Sequence, residues 1–291
     1  MAAAREAEGW YGLAVGDHVV SDRLLPHPFA LLGAMAPATS RVELMTATAN
    51  NLVRSPVETA QAALTLHELS DGRFNLGLGA GWQRDELEAS GIDYPPPRQR
   101  AERYVAAIQI VRDLFSTGHA AGDGRYYHVD IHLPRPPRRS PQLIGAVAGP
   151  WVTRHVAPLV DRVEVLPFPQ TSNTGAEIAN LEIDAVRRTV DDVKQHAPGT
   201  PVSLILFIAV GTSDEIGPFR ASFASPFASG LCGSAEVVAS NLQSLADLGL
   251  EYLTVLPLTP EHESDVVGRR SADVRHRLWL CDEFPGDQSS K

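Results

Sequence analysis

The sequence of 291 residues predicts an α/β protein, a (β/α)8 barrel with parallel strands. Short apolar runs, typical of strands buried on both faces, alternate with longer stretches whose apolar residues recur at helical spacing. The chain lacks the succession of closely spaced hairpins that would favour an antiparallel sheet. Its length fits one barrel, and we therefore predict a single domain over residues 1–291.

Seven segments are predicted as barrel strands, with helical patterns between them. The strands are residues 13–16, 42–48, 74–79, 142–147, 162–166, 202–210 and 253–257. The helices are residues 29–38, 56–69, 101–115, 151–159, 178–195 and 235–248. Pro56 suits a first helical turn, where its missing N–H would have no intrahelical partner. Ser234 is placed to cap the last helix.

A barrel of this class needs eight strands, so one strand is unaccounted for. Residues 2–8 have the pattern of the end of a helix leading into the strand at 13–16, which predicts that the first strand is absent or replaced. Residues 116–140 are rich in Gly, Pro, Arg and His and are predicted as an insertion over the barrel mouth. The polar tail at 285–291 is expected to be frayed.

The composition argues against several classes of protein. A net charge of −10 disfavours nucleic-acid binding, because contacts with phosphate need a basic surface. The apolar runs are too short to cross a membrane, and the N-terminus lacks the apolar core of a secretory signal. Two cysteines, Cys232 and Cys281, agree with a cytoplasmic protein. Only Lys194 and Lys291 among 25 basic residues are lysines, a bias that suggests a GC-rich, actinobacterial genome.

The most distinctive segment is the strand at 74–79, which continues into Ala80, Gly81 and Trp82. Glycines at alternate positions, Gly77 and Gly79 among them, leave one face of the strand end without side chains. A flat ligand could therefore approach the backbone closely. The sequence predicts one wall of a ligand site at this strand end.

The charged residues downstream are predicted to have structural roles. Three acidic residues fit the first turn of a short helix: Asp85, Glu86 and Glu88. Three arginines fit a solvated helix face: Arg98, Arg100 and Arg103. His128, Asp130 and His132 alternate along an extended segment, but this spacing is too weak to indicate a metal ion, and we predict no metal site.

Several motifs occur together at the strand ends. Gly16-Asp17-His18 follows one strand, Asn51-Leu52-Val53-Arg54-Ser55-Pro56 leads into a helix, and residues 69–74 lead to Leu78-Gly79-Ala80-Gly81-Trp82. Their combination resembles the luciferase-like monooxygenase superfamily, most closely its bacterial branch that uses the deazaflavin F420, with FMN as the alternative cofactor. The likeness covers residues 10–115 and returns in the last βα unit.

The resemblance implies a TIM-like barrel with the cofactor ring across the carboxyl ends of the strands. It implies catalytic roles beside the ring for Asp17 and His18. It also implies a set of cofactor-binding residues: Thr46, Ala47, Thr48, Gly79, Ala80, Gly81, Trp82, Ala148 and Gly149. A histidine with a near-neutral pKa can exchange a proton while the cofactor carries the redox chemistry.

Three positions depart from the family pattern. The usual glycine-serine-glycine turn that holds the cofactor phosphate is Val147-Ala148-Gly149-Pro150 here, and Pro150 has no N–H to donate. The usual alanine-aspartate-glycine is Val160-Asp161-Arg162. Trp82 stands where the sugar-phosphate dehydrogenases of the family have a glutamate proton donor, which disfavours that activity.

We therefore expect an F420- or FMN-dependent oxidoreductase or monooxygenase acting on a small organic molecule, with F420 slightly favoured. One alternative is a redox-inactive member that works without a cofactor, as a cyclase or ligand-binding protein in natural-product biosynthesis. Another is a non-catalytic subunit of an oligomer, because a missing strand would expose two sheet edges. We expect a homodimer that binds neither nucleic acid nor membrane.

Overall fold

Eight parallel strands close into a barrel in the computed structural model, which describes residues 2–20, 24–167, 182–223, 225–259 and 277–281. The barrel strands are β1 (Gly12–Val15), β2 (Glu43–Thr46), β4 (Phe74–Gly79), β7 (Leu143–Val147), β8 (Arg162–Val165), β9 (Val202–Val210), β11 (Tyr252–Pro257) and β12 (Arg277–Cys281). Pairing of β8 with β9 closes the sheet. Short strands β3 (Ala49–Asn50) and β10 (Cys232–Gly233) extend it beside β4 and β9.

Helices follow most of the strands and pack around the barrel. They are α1 (Ala2–Ala7), α2 (Pro28–Met35), α3 (Pro56–Leu69), α4 (Arg84–Ala89), α5 (Pro97–Ser116), α6 (Pro150–Val156), α7 (Ile183–His196), α8 (Ser213–Ile216) and α9 (Ala235–Ser244). The predicted barrel class is confirmed, and α3, β4 and β9 have the predicted bounds. The helix predicted at 101–115 begins earlier, because Pro97 is accepted in its first turn.

The eighth strand comes from the end of the sequence. Strand β12 lies between β11 and β1, is parallel to both, and places Trp279 opposite Gly12. The first strand is thus replaced rather than simply missing, and both sheet edges next to the gap are paired. The seven predicted strands did not include this one, because it is a five-residue run with no helical pattern after it in the sequence.

Buried polar side chains fill the barrel interior below the mouth. Arg162 is almost fully buried, with its guanidinium carbon 4.4 Å from the centre of the Tyr252 ring and 5.1 Å from that of Trp279. Glu164 accepts a hydrogen bond of 2.7 Å from the Ser203 hydroxyl, and burial raises the pKa of this carboxyl.

The segment predicted as an insertion forms a hairpin of β5 (His119–Ala121) and β6 (Asp130–His132) that packs along α5. It reaches the carboxyl ends of the strands where the Tyr127 hydroxyl donates to the Asn51 side chain over 2.8 Å. The predicted tail at 285–291 and the predicted helix start at 178–181 lie outside the described residues. Within the part of the chain that is described, no helix is long and apolar enough to cross a membrane.

Candidate active site

A cavity of about 450 Å³ opens at the carboxyl ends of the barrel strands. Apolar side chains from β9 and β11 line it, including Ile205, Phe207 and Leu256. The structure brings nearly all the predicted site residues to this cavity: Asp17, His18, Ala47, Thr48, Gly79, Ala80, Gly81, Trp82, Ala148 and Gly149. Thr46 differs, because it is fully buried and does not line the cavity.

Asp17 holds two neighbouring loops at the end of β1. Its side chain is about 1% exposed, and its Oδ2 accepts a 2.8 Å hydrogen bond from the backbone N–H of Asn50. The same oxygen accepts from the guanidinium of Arg54. Asp17 therefore binds two positions of the loop at 50–54, and these bonds fix the strand end that carries His18.

His18 lies between Glu86 and Trp82 on the cavity wall. Its Nδ1 is 2.8 Å from Glu86 Oε2, and its ring meets the Trp82 ring edge to face, with centres 5.8 Å apart. Burial acts to raise the pKa of Glu86, but the hydrogen bond from His18, the charge interaction with His18 and then the hydrogen bonds from Val19 and Val20 outweigh it and lower the pKa. Glu86 is therefore a buried carboxylate at neutral pH.

The alternating glycines of β4 make room for the segment at 46–48, for a backbone carbonyl at Gly77 and for a side chain at Gly79. A β-carbon at Gly77 would lie 2.1 Å from the Thr46 carbonyl oxygen, and one at Gly79 would lie 2.4 Å from Thr48 Oγ1. The Thr46 hydroxyl donates to the Gly77 carbonyl over 2.7 Å, and the Ala47–Thr48 peptide is cis. The wall is thus formed by the segment at 46–48 seated against β4, not by glycine alone.

Gly81 is needed for its backbone conformation as well as for space. Its φ is +75°, and an added β-carbon would lie 2.5 Å from Asn50 Oδ1. That oxygen accepts a 3.0 Å hydrogen bond from the Leu52 N–H and so shapes the next loop. The turn after β4 can therefore come close to the 50–52 loop and aim Trp82 towards His18.

Of the arginines expected on a solvated face, Arg100 is buried in the cavity wall, whereas Arg98 is solvated as expected, pairs with Glu102 over 2.7 Å and borders the cavity. Arg100 is about 8% exposed, stacks 4.1 Å from the centre of the Tyr94 ring, and leaves a buried Nε without a partner among the described residues. Arg98 is mostly exposed and stacks 4.1 Å from the centre of the Trp151 ring. The first turns of α5 lie against the cavity, where Pro97 and Ala101 line it together with the two arginines. Arg103 does not join them and bonds to the Tyr127 hydroxyl.

The turn after β7 lies beside these arginines. Gly149 precedes α6 and its carbonyl accepts from the Thr153 N–H over 2.9 Å. Pro150 lines the cavity without an N–H, and Trp151 stacks on His155 with ring centres 4.0 Å apart. Cationic and aromatic side chains therefore dominate this edge, where the family pattern would place backbone donors.

Glu86 is the functional candidate that the sequence did not single out. The predicted acidic first turn of a short helix is confirmed for Asp85 and Glu86 of α4, whereas Glu88 lies beyond that turn. Glu86 is about 3% exposed, unlike an ordinary acidic cap. Its position shortly after the glycine-rich turn, at the start of α4, was the signal available in the sequence. Among the described residues, no group of three His, Cys, Asp or Glu side chains could hold a metal ion.

Known proteins share both the sequence motifs and the fold. The family model described as luciferase-like monooxygenase matches residues 1–215. Pyrimidine monooxygenase RutA of Pantoea ananatis is 36% identical over 105 residues, covering 35% of this chain and 28% of the relative. The F420-dependent glucose-6-phosphate dehydrogenase of Amycolatopsis mediterranei is 30% identical over 193 residues, covering 60% and 56%. The matched part therefore spans less than two thirds of either relative.

Solved structures agree on the fold along nearly the whole chain. An F420-dependent secondary alcohol dehydrogenase superposes with a TM-score of 0.73 and 17% identity, covering 94% of this chain and 93% of the other. The monooxygenase RslO1 from Streptomyces bottropensis gives 0.71 and 18%, covering 94% and 91%. With the family model matching most of the sequence, the chain belongs to the luciferase-like monooxygenase family.

Proposed function

We propose that the protein is an oxidoreductase that binds F420 or FMN at the mouth of the barrel and acts on a small organic molecule. The observation that carries this proposal is the cavity itself, where His18, Ala47, Thr48 and the turn at 79–82 converge. A mostly apolar slot with a few polar groups is typical of sites for planar cofactors. Membership of the family supports the same chemistry.

The residues present fit a cofactor with a flat ring and an anionic tail. Ala47, Ala80 and Ala148 have small side chains along the cavity walls, where a ring can stack. Arg100 is a permanently charged donor with an unused N–H in the cavity wall, and Arg98 lies beside it. We propose that these arginines receive the phosphate, because Pro150 replaces one of the backbone donors of the usual turn.

When bound, the ring supplies hydride transfer or, for FMN, oxygen activation. The chain positions it and manages protons. His18 holds or releases a proton at its ring nitrogens next to the cavity, while Trp82 and Trp151 shield the mouth from water. Asp17 fixes the loop at 50–54 and the strand end through Oδ2. Its Oδ1 is buried without a partner among the described residues, and Asp17 lines the cavity, which supports a role at the site itself.

F420 is the cofactor we favour. The F420-dependent glucose-6-phosphate dehydrogenase from Amycolatopsis mediterranei aligns with 60% of this chain and RutA of Bradyrhizobium sp. with 57%, so coverage supports F420 by a narrow margin. We do not assign the substrate of that dehydrogenase to this chain, because Trp82 stands where the sugar-phosphate dehydrogenases of the family have a glutamate proton donor. A small, uncharged substrate suits the apolar floor formed by Ile205, Phe207 and Leu256.

A fluorescence titration of the purified chain with F420 and with FMN tests the proposal. We expect quenching at micromolar concentration by at least one of them. Ala148→Phe, which places a ring inside the cavity, should abolish the quenching, whereas Ala38→Phe, the same change at an exposed turn, should not. Absence of binding by both cofactors up to about 100 μM, a binding free energy weaker than about −5.5 kcal/mol, would overturn the proposal.

The cofactor-independent alternative keeps one supporting observation, the replacement of a backbone donor by Pro150. It predicts turnover without added flavin, so a strict dependence on F420 or FMN excludes it. The alternative of a non-catalytic subunit was motivated by a missing strand with two exposed sheet edges, and the structure does not have this gap. Strand β12 of the same chain pairs with both β11 and β1, so no edge of the barrel is left for a partner at that place.

A further inference from the structure

We infer that Glu86 is a positioning residue that keeps the proton of the neutral His18 ring on Nδ1 and so leaves the lone pair of that ring on Nε2. The inference rests on the proposed role of His18 in the cavity. It assigns to Glu86 a role that is separate from helix capping and from cofactor binding. Three contacts of one carboxylate carry it.

The backbone fixes one oxygen of this carboxylate. Glu86 Oε1 accepts from the backbone N–H of Val19 and lies 3.3 Å from that of Val20. A backbone N–H can only donate, so Oε1 must act as an acceptor. The side chain is about 1% exposed, and its orientation is therefore set by two donors that no side-chain substitution can remove.

The second oxygen then decides the tautomer of His18. Glu86 Oε2 lies 2.8 Å from His18 Nδ1, and an ionised carboxylate can only accept. Nδ1 must therefore carry a hydrogen whenever this bond is made. A free neutral imidazole can place its proton on either nitrogen, and a hydrogen bond at one nitrogen settles the choice.

The two residues come from different βα units. His18 follows β1, and Glu86 lies in α4, after the glycine-rich turn of β4. The carboxylate therefore also ties the turn that carries Trp82 to the strand end that carries His18. A purely structural role would consist of this tie alone, without any consequence for the ring proton.

Substitution of Glu86 by Gln separates the two roles. The N–H groups of Val19 and Val20 will attract the amide oxygen, which leaves the NH₂ group facing His18 Nδ1. Nδ1 must then accept, and the ring proton moves to Nε2. The shape and the tie to the backbone are kept, while the tautomer is inverted.

Nitrogen-15 NMR of the histidine rings measures this directly, without any cofactor. The His18 signal is assigned by its loss in His18→Gln, and spectra are taken at a pH where the ring is neutral. We expect the Nδ1–H tautomer in the wild type and the Nε2–H tautomer in Glu86→Gln. Glu88→Gln, the same change at an exposed position of α4, should leave His18 unchanged.

The wild-type spectrum alone can overturn the inference, whether or not the variant folds: an Nε2–H tautomer for His18 would exclude it. An unchanged tautomer in folded Glu86→Gln would exclude it as well. If cofactor titration fails while the tautomer inverts, the proposed function is wrong and the assignment of Glu86 stands. If an activity is found, Glu86→Gln should lower kcat about 100-fold with little change in KM, as expected for loss of proton transfer.

Discussion

The indole ring of Trp279 occupies the space directly over the backbone of Gly12, where an added β-carbon would lie 2.4 Å from the indole Cε3 atom. The two residues are register partners on β12 and β1. The last described strand of the chain, β12, thus packs against β1. The indole ring of Trp279, the largest fully buried side chain, fits there only because residue 12 has no side chain. The same pair links barrel closure to the strand that carries Asp17 and His18.

Gly12→Ala should destabilise the protein, because neither the indole ring nor the paired backbone can move away easily. The expected loss in free energy of unfolding is about 1–3 kcal/mol, typical of overpacking. Gly33→Ala is the matched control: in α2 the new methyl would lie 3.7 Å from Leu66 Cδ2, an ordinary contact. That control should be neutral or stabilising by up to about 1 kcal/mol. Urea denaturation measures both, and equal effects would contradict the packing argument.

Removal of β12 should open the barrel. A chain ending at residue 276 loses the strand that pairs with both β11 and β1, so we expect loss of cooperative unfolding and exposure of apolar surface to a hydrophobic dye. A chain ending at residue 281 keeps all eight strands and should unfold like the full chain. Near-ultraviolet circular dichroism follows both. A native-like spectrum of the shorter chain would show that β12 is dispensable.

The Asp17–Arg54 pair should be a strong contributor to stability. Asp17→Asn leaves the guanidinium, about 9% exposed, without its counter-charge, at an expected cost of about 3 kcal/mol. Arg54→Met in the same background should recover part of this loss, because the uncompensated charge is then gone. A double-mutant cycle measured by chemical denaturation checks the prediction. Additive effects of the two substitutions would rule out coupling.

Glu6 should make stability depend on pH in the acid range. It accepts hydrogen bonds from the backbone N–H groups of residues 40–42, and that of Val42 is the main cause that lowers its pKa from 4.5 to about 2. A carboxyl with a depressed pKa stabilises the folded state above its unfolded pKa, and this contribution is lost as the pH falls from 4.5 through 2.

Glu6→Gln should therefore lower the free energy of unfolding by about 1–2 kcal/mol at neutral pH, a value discounted for partial exposure. The difference from the wild type should be mostly lost by about pH 2, where half of the folded-state carboxyls are protonated, and should vanish below that pH. Glu251→Gln, at an exposed position, serves as control. Denaturation curves at several pH values provide the measurement, and a difference that persists in acid would refute the assignment.

Arg98 should strengthen the binding of ligands that carry a phosphate. Arg98→Met should weaken FMN binding about tenfold, about 1.4 kcal/mol, and leave riboflavin, which has the same ring without the phosphate, unaffected. Arg112→Met, at an exposed position of the same helix, should change neither. Fluorescence titrations of both ligands decide the matter. Equal losses for FMN and riboflavin would show that Arg98 acts on the ring slot instead.

Local patterns predicted much of the fold and part of the site. Strands Phe74–Gly79 and Val202–Val210 and helix Pro56–Leu69 follow from apolar periodicity and from a proline at the first turn. The ligand wall at 79–82 was predicted from its glycines at a strand end, and Asp17 and His18 were implied by the resemblance to the family; parallel strands of a barrel bring these carboxyl ends together. Each of these inferences needs only residues that are near one another in sequence.

The remaining features depend on partners far away along the chain. The buried state of Glu86 depends on backbone donors after β1, and the inward position of Arg100 depends on how α5 folds over the mouth. The role of Gly77 depends on the carbonyl of Thr46. None of these pairs produces a periodic signal in the sequence.

The sequence by itself determined the barrel class, the strand ends that form the site and the family of the chain. Only the tertiary structure decided that β12 supplies the eighth strand, that Thr46 supports the wall without lining it, and that Glu86 faces His18. The physical reason is that periodicity records which faces of an element are buried, whereas pairing and side-chain contacts depend on elements distant in sequence that meet only in the closed barrel.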